Sequence, residues 1–289
     1  MTALSRARLA DLGLFYSAFV WGATFVVVKD ALGAVHPVSL VAWRFLIAGG
    51  LLTGYLLWRR QPILADWKRG LFLGFMIWLL YITQTIGLTI TTASNSGFIT
   101  GLFVAFVPLF LWYPFRRTPT RFEIIAAGIA MTGLGVLTGG LHDINSGDAL
   151  TLVCAVIYAL HILYTDRYVR EGSNPWALVC QQFLVVSGLS LLTALVWRVP
   201  LEVRSTGALW AIVLLALFPS LTAYVIQIHA QKIASPLRVT LIFALEPVFA
   251  AIVAWTYGGE PFVVHRALGG LLIALALVIS GIPPKRPQD

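Results

Sequence analysis

Charged residues punctuate this chain at intervals too wide for a water-soluble helix bundle. Segments 70–115, 172–197, 205–231 and 267–284 contain no Asp, Glu, Lys or Arg, whereas a soluble amphipathic helix needs a polar face every few residues. Roughly 20 apolar residues are enough to cross a hydrocarbon core. Polar and turn-forming positions divide the chain into ten such runs, near 11–32, 38–57, 68–88, 93–115, 122–140, 147–168, 176–197, 207–227, 235–257 and 265–282. Segment 70–115 is too long for one crossing, and its polar middle, Thr89-Ile90-Thr91-Thr92-Ala93-Ser94-Asn95, supplies a hairpin. The pattern predicts an all-α integral membrane protein of ten transmembrane helices, embedded in the lipid bilayer.

Composition agrees. Of 289 residues, 59% are hydrophobic and 11% charged, against about 25% charged in a soluble domain. The net charge of +8 does not point to nucleic acid, because the basic residues sit in short loops between spans rather than in one patch. With the N-terminus inside, most Lys and Arg fall on one side, among them Arg59, Arg60, Lys68, Arg69, Arg116, Arg117, Arg170, Lys232 and Arg286. Positive charges resist translocation, so both termini are expected in the cytoplasm, as an even number of spans requires. Arg6 and Arg8 followed by 12–28 resemble a signal peptide only superficially: the apolar run is longer than an h-region and ends in Lys29-Asp30. It reads as a retained first span. Cys154 and Cys180 lie inside apolar runs with neither disulfide nor zinc spacing.

The two halves, 1–143 and 144–289, resemble one another at an offset of about 138 residues. Lys29 pairs with Arg167, His36-Pro37 with Asn174-Pro175, and Arg44 with Gln182. The run Ala105-Phe106-Val107-Pro108-Leu109-Phe110 pairs with Ala244-Leu245-Glu246-Pro247-Val248-Phe249. Five spans per repeat is an odd number, so the second half is expected to enter the membrane upside down. Inverted five-helix repeats underlie many secondary transporters, because exchanging the conformations of two related halves gives alternating access.

Particular residues also resemble a known family. Trp21-Gly22 with Phe25 and Lys29, Arg44-Phe45, and Pro108-Leu109-Phe110 resemble the first EamA repeat of the drug/metabolite transporter superfamily. Tyr224, Gln227, Pro236, Glu246-Pro247-Val248-Phe249-Ala250 and Gly259-Glu260-Pro261 resemble the second. The resemblance implies ten helices in inverted EamA-like repeats and export of amino acids or other metabolites across the inner membrane of a bacterium. Within the family the chain is similar to bacterial YddG-like exporters of aromatic and neutral amino acids. The superfamily also holds carriers of nucleotide sugars, triose phosphates and nucleobases.

Charges inside a bilayer cost several kcal/mol and tend to mark function. Glu246, half-way along the ninth span, is a candidate for proton coupling, for an ammonium ligand, or for a structural hydrogen bond. Lys29 and Arg44 are candidates for an outer gate, or for side chains that snorkel to the headgroups; Arg167 is the matching inner candidate. Trp78, Tyr81 and Gln84 recur at three-residue spacing on one span, as do Tyr158 and His161, and Tyr224 and Gln227, on others, with Ser96 and Thr100 on a fourth. Together with Trp21 they are expected to line a polar, aromatic substrate cavity between the halves. Pro108, Pro219 and Pro247 each remove a backbone donor inside a span and are candidate hinges or tolerated kinks, with Pro108 and Pro247 as the paired hinge candidates. The sequence has no metal cluster, cofactor motif, Walker motif or Ser/His/Asp set. It therefore predicts a non-enzymatic secondary carrier of a small molecule, with a channel as a further alternative; the oligomeric state stays open.

Overall fold

A computed structural model describes residues 3–91, 93–113, 115–140, 144–256 and 262–280. Thr92 of the expected hairpin, the junction at 143, the Gly259-Glu260-Pro261 motif and the side chain of Phe25 lie outside the described residues. All regular elements among the described residues are helical: α1 (Ala3–Ala31), α2 (Pro37–Trp58), α3 (Trp67–Ile90), α4 (Ala93–Gly101), α5 (Phe103–Trp112), α6 (Arg121–Thr138), α7 (Ser146–Arg170), α8 (Pro175–Val196), α9 (Thr206–Leu215), a π-helical turn (Ala216–Thr222), α10 (Ala223–Gln231), α11 (Pro236–Phe243), α12 (Glu246–Thr256) and α13 (Val264–Ser280). Eight helical runs are long and apolar enough to cross a membrane, and Ser96–Trp112 and Val264–Ser280 are shorter apolar helices.

Helix starts follow local chemistry. His36 caps α2 by accepting the Val38 amide on Nδ1 at 3.3 Å, and Asn174 caps α8 by accepting the Trp176 amide at 3.0 Å. Each cap precedes a proline at the first helical position, where a missing N–H costs nothing. The capping imidazole must be neutral to accept, and partial burial holds His36 below the ordinary histidine pKa. Thr120 and Glu123 form a reciprocal capping box at α6.

Three spans are broken. The fourth divides at Leu102, between α4 and α5, and the ninth at Ala244 and Leu245, between α11 and α12. Pro247 thus stands in the first turn of α12, directly after a break, while Pro108 sits inside α5, six residues past Leu102. The third irregularity is the π turn at Pro219, the remaining in-span proline.

The tightest helix pairings join the first half to the second. They are α6 with α13, α3 with α7 and α2 with α8. The pairings also come in couples under exchange of the halves: α3–α7 with α1–α10, and α5–α7 with α1–α12. Backbones meet closely where both partners are glycine. A Cβ on Gly133 would stand 2.8 Å from the Gly269 carbonyl, and one on Gly269 would stand 2.5 Å from that of Gly133. In the run Gly97-Phe98-Ile99-Thr100-Gly101, which has the GxxxG spacing that favours close helix contact, Gly101 packs against Leu134, while Gly97 has no such neighbour among the described residues.

Leucine, phenylalanine and valine side chains are exposed around the periphery, among them Leu12, Phe19, Leu57, Leu195, Leu271 and Val278. In water such a belt would be unstable; in lipid it is the wetted surface. Trp58, Trp67, Trp112, Trp197 and Trp210 are exposed near helix ends, as interface anchors are. Ion pairs gather at one end. Asp11–Arg238, Arg69–Glu171, Arg117–Asp166, Arg170–Asp166 and Arg167–Glu171 tie together the starts of α1, α3 and α11 and the end of α7.

Candidate functional site

A cavity of about 60 Å³ lies between the halves, lined by Trp21, Thr24, Val28, Arg44, Leu80, Tyr81, Gln84, Thr100, Tyr158, Tyr224 and Glu246. Helix α1 supplies Trp21, Thr24 and Val28, which lie toward its C-terminal end, away from the ion-paired end at Asp11. Helix α3 supplies Leu80, Tyr81 and Gln84 from its corresponding half. The cavity therefore occupies the half of the molecule remote from that cluster of ion pairs, on the side of the exposed Arg204–Glu202 pair.

Its floor is a cluster of rings. Trp21 meets Phe243 at 4.9 Å and Tyr224 at 5.5 Å, and Phe45 meets Tyr81 at 4.9 Å. Phe183 stands edge-on to Tyr224 at 5.8 Å, and Phe103 packs on Tyr158 at 4.7 Å. Edge-to-face packing of this kind is favourable by about 0.5–1.5 kcal/mol per pair beyond burial.

Two ionisable groups, Arg44 and Glu246, face the cavity. Arg44 is only 6% exposed. Its Nε donates to the Ser220 hydroxyl, Nη2 donates to the Tyr81 hydroxyl at 3.3 Å, and the guanidinium stacks on the Tyr81 ring at 4.8 Å. Glu246 opens α12, with Gly22 of α1 directly across. A Cβ on Gly22 would stand 2.2 Å from the Glu246 carbonyl oxygen, so only glycine lets the two backbones approach this closely. Neither Arg44 nor Glu246 takes part in an ion pair among the described residues. Burying an ion costs several kcal/mol even after relaxation. Hydroxyl acceptors and a ring face offset part of that for Arg44.

The π turn explains how Arg44 is held. Pro219 has no N–H and would clash with an ordinary i−4 carbonyl, and the widened turn accommodates it. The Ser220 hydroxyl donates to the Leu215 carbonyl at 2.9 Å while accepting from Arg44. The Pro219 carbonyl accepts the Trp21 indole N–H at 2.7 Å. One irregular turn thus orients both a wall ring and the buried cation.

The expected site residues divide. Trp21, Tyr81, Gln84, Thr100, Tyr158 and Tyr224 line the cavity, with Arg44 and Glu246; Gln84 donates to Thr100 at 3.2 Å. Arg44 is a wall residue here, where a gate at the outer surface was expected. Trp78, Ser96, His161 and Gln227 do not line it. Trp78 stands against Phe75 at 5.6 Å, and Ser96 is buried with its hydroxyl unpaired. His161 hydrogen-bonds Gln182 at 2.8 Å beyond the ring floor. Lys29 is exposed at the end of α1 and makes no ion pair among the described residues, and exposed Arg167 pairs with Glu171. An exposed pair of that kind contributes about 0–1 kcal/mol. Sequence reasoning did not find the ring floor: Phe45, Phe103, Phe183 and Phe243 look like any lipid-facing phenylalanine until the helices are assembled.

The model of the EamA-like transporter family matches twice, at residues 8–139 and 145–282. An uncharacterized transporter of Archaeoglobus fulgidus is 32% identical over 275 residues, covering 94% of this chain and 86% of that one. The inner membrane transporter YedA of Escherichia coli K12 is 27% identical over 280 residues, with 93% and 90% covered. A Chlamydia muridarum relative named as an S-adenosylmethionine/S-adenosylhomocysteine transporter is 25% identical over 287 residues, with 93% and 86% covered. A solved crystal structure shares the fold with a TM-score of 0.79 at 20% identity, covering 94% of this chain and 96% of that one. With both halves matched and the archaeal relative aligned almost end to end, this chain is a membrane transporter that belongs to the EamA-like transporter family.

Proposed function

We propose that the chain is a secondary carrier that exports amino-acid-like zwitterions with an aromatic or other flat neutral side chain. The observation that carries this reading is the pairing of one buried cation, Arg44, with one acid, Glu246, on a single ring-lined cavity, neither in an ion pair among the described residues. An α-amino acid brings the two missing counter-charges: its carboxylate complements Arg44 and its ammonium complements Glu246. Its side chain meets Trp21, Tyr81, Tyr158 and Tyr224, whose ring faces favour flat groups. The solutes named for the Chlamydia relative have an amino-acid head and a flat base, which is the same combination.

Small-molecule sites measure roughly 300–1,000 Å³, so a cavity of about 60 Å³ is a contracted state. Loading then requires the halves to part, as in alternating access. Ten crossings follow if Ser96–Trp112 and Val264–Ser280 also span; at 17 residues α13 meets the lower limit of about 17. An inverted arrangement is supported by the coupled pairings and by the matching caps at His36 and Asn174. Both termini then lie on the ion-paired, Arg-rich side, read as cytoplasm by the positive-inside rule. Nucleobase or sugar carriage is the second reading, favoured by the flat ring surfaces alone.

Counterflow in proteoliposomes tests the class. Vesicles loaded with unlabelled L-phenylalanine or L-tryptophan should accumulate the labelled amino acid transiently above equilibrium, and adenine or a hexose inside should not drive it. Simple equilibration without overshoot would mean a channel. Overshoot with adenine alone would move the reading to nucleobases.

A further inference from the structure

Beyond the ring floor lies a second polar region that the cavity does not include. Helix α7 continues from Tyr158 to His161 and Thr165, and α10 from Tyr224 to Gln227 and Gln231, each at three- and seven-residue steps that keep one face. These two faces meet. The His161 ring stands 6.4 Å from that of Tyr224, and Gln231 donates its amide to the Ile162 carbonyl at 3.0 Å. The side-chain oxygen of Gln182 on α8 accepts from His161 Nε2 at 2.8 Å.

The region is fully buried yet poorly satisfied. Both amide atoms of Gln227, Nδ1 of His161 and Oε1 of Gln231 are buried with no hydrogen-bond partner among the described residues. A buried polar atom left unpaired keeps its desolvation cost without return, and hydrocarbon outside offers no substitute. Four such atoms in one seam are poor packing for a permanently closed interior. They suit a surface that is wet in another conformation.

We propose that this seam of His161, Gln182, Gln227 and Gln231 is the inner half of the solute path, shut in this conformation by the ring floor above and by Arg170 on the Ala234 carbonyl below. It rests on the carrier reading and extends it. Arg170 is steadied by Asp166 of its own helix at 2.7 Å and donates to the Ala234 carbonyl at 2.9 Å, closing α7 against the segment that follows α10. When the halves exchange conformations, the Arg170–Ala234 contact parts and the seam fills with water. The charged head of a zwitterion then leaves Arg44 and Glu246 for neutral amide and imidazole groups, which hydrogen-bond it weakly enough to release it.

Thiol labelling tests this without any transported solute. In a chain lacking Cys154 and Cys180, Gln227→Cys and, one turn on, Gln231→Cys are exposed to a membrane-impermeant trimethylammonium-ethyl methanethiosulfonate, applied to either face of oriented vesicles. Labelling from the face bearing Arg60 and Arg117, at least tenfold above the cysteine-free background, is expected for one or both. Background rates from both faces at both positions overturn the proposal. A second measurement covers variants that fail to assemble. Gln227→Leu removes both unpaired atoms and should leave the thermal unfolding midpoint unchanged or higher. A fall of about 5 °C or more would show that the amide holds bonds in a permanently closed core, and would equally overturn it. Failure here leaves the counterflow result standing, so the two readings are separable.

Discussion

At Gly22 a single missing methyl group sets the geometry of the site. The neighbouring Trp21 reaches the Pro219 carbonyl and helps build the ring floor, so any shift of α1 relative to α12 displaces wall and acid together. Gly22→Ala would drive a Cβ into the Glu246 backbone, an overpacking that costs about 1–3 kcal/mol. Gly128, exposed on α6 with open space around its Cβ position, is the control, and Gly128→Ala should be neutral within about 0.5 kcal/mol. The relative unfolding midpoints in detergent check this; equal effects at the two glycines would contradict the crossing. Arg44 teaches a second residue-scale lesson. Its sequence context fits a cation near the membrane surface equally well, and only the assembled helices reveal that Ser220 and Tyr81 hold it inward.

Among the elements, the π turn is where sequence and structure differ most. Run 207–227 reads as one uninterrupted span with a proline in it, and the structure divides it into α9, the turn and α10. Pro219→Ala would restore an N–H and allow an ordinary helix. That change should leave stability unchanged or raise it by up to about 3 kcal/mol. Straightening the turn pulls Ser220 from Arg44 and the Pro219 carbonyl from Trp21, so transport should fall at least tenfold. Parallel uptake and thermal-unfolding measurements check the pair of effects. Unaltered uptake would mean that the turn is a packing accident.

The same comparison shows what was legible. The apolar runs at 38–57 and 176–197 lie within a residue of α2 and α8, because His-Pro and Asn-Pro caps and charge-bearing loops mark them chemically. The break at Ala244–Leu245 is marked by Pro247 two residues on, whereas the break at Leu102 has only Gly101 beside it and its proline stands six residues away. Site residues followed the same logic. Trp78 and Gln84 are six positions apart, about 120° around an α-helix, which is enough to take Trp78 off the face that Gln84 shares with Tyr81. His161 and Gln227 keep the right face but stand about 4.5 Å further along their helices, beyond the rings that close the cavity.

For the molecule as a whole, the densest helix pairings cross between the halves, so the cavity cannot open without both halves moving. In the proposed function, the charges it presents decide what it binds, and its small volume requires that opening come first. The most direct measurement is competition for labelled L-phenylalanine uptake into proteoliposomes by three compounds sharing one ring: L-phenylalanine, phenethylamine without the carboxylate, and 3-phenylpropanoate without the amine. If Arg44 and Glu246 hold opposite ends of a zwitterion, each truncated compound leaves one buried charge unpaired, a loss of about 2–5 kcal/mol. Phenylalanine should then compete at least thirtyfold better than either. Equal competition by all three would contradict the account, because the rings alone would then be selecting the solute.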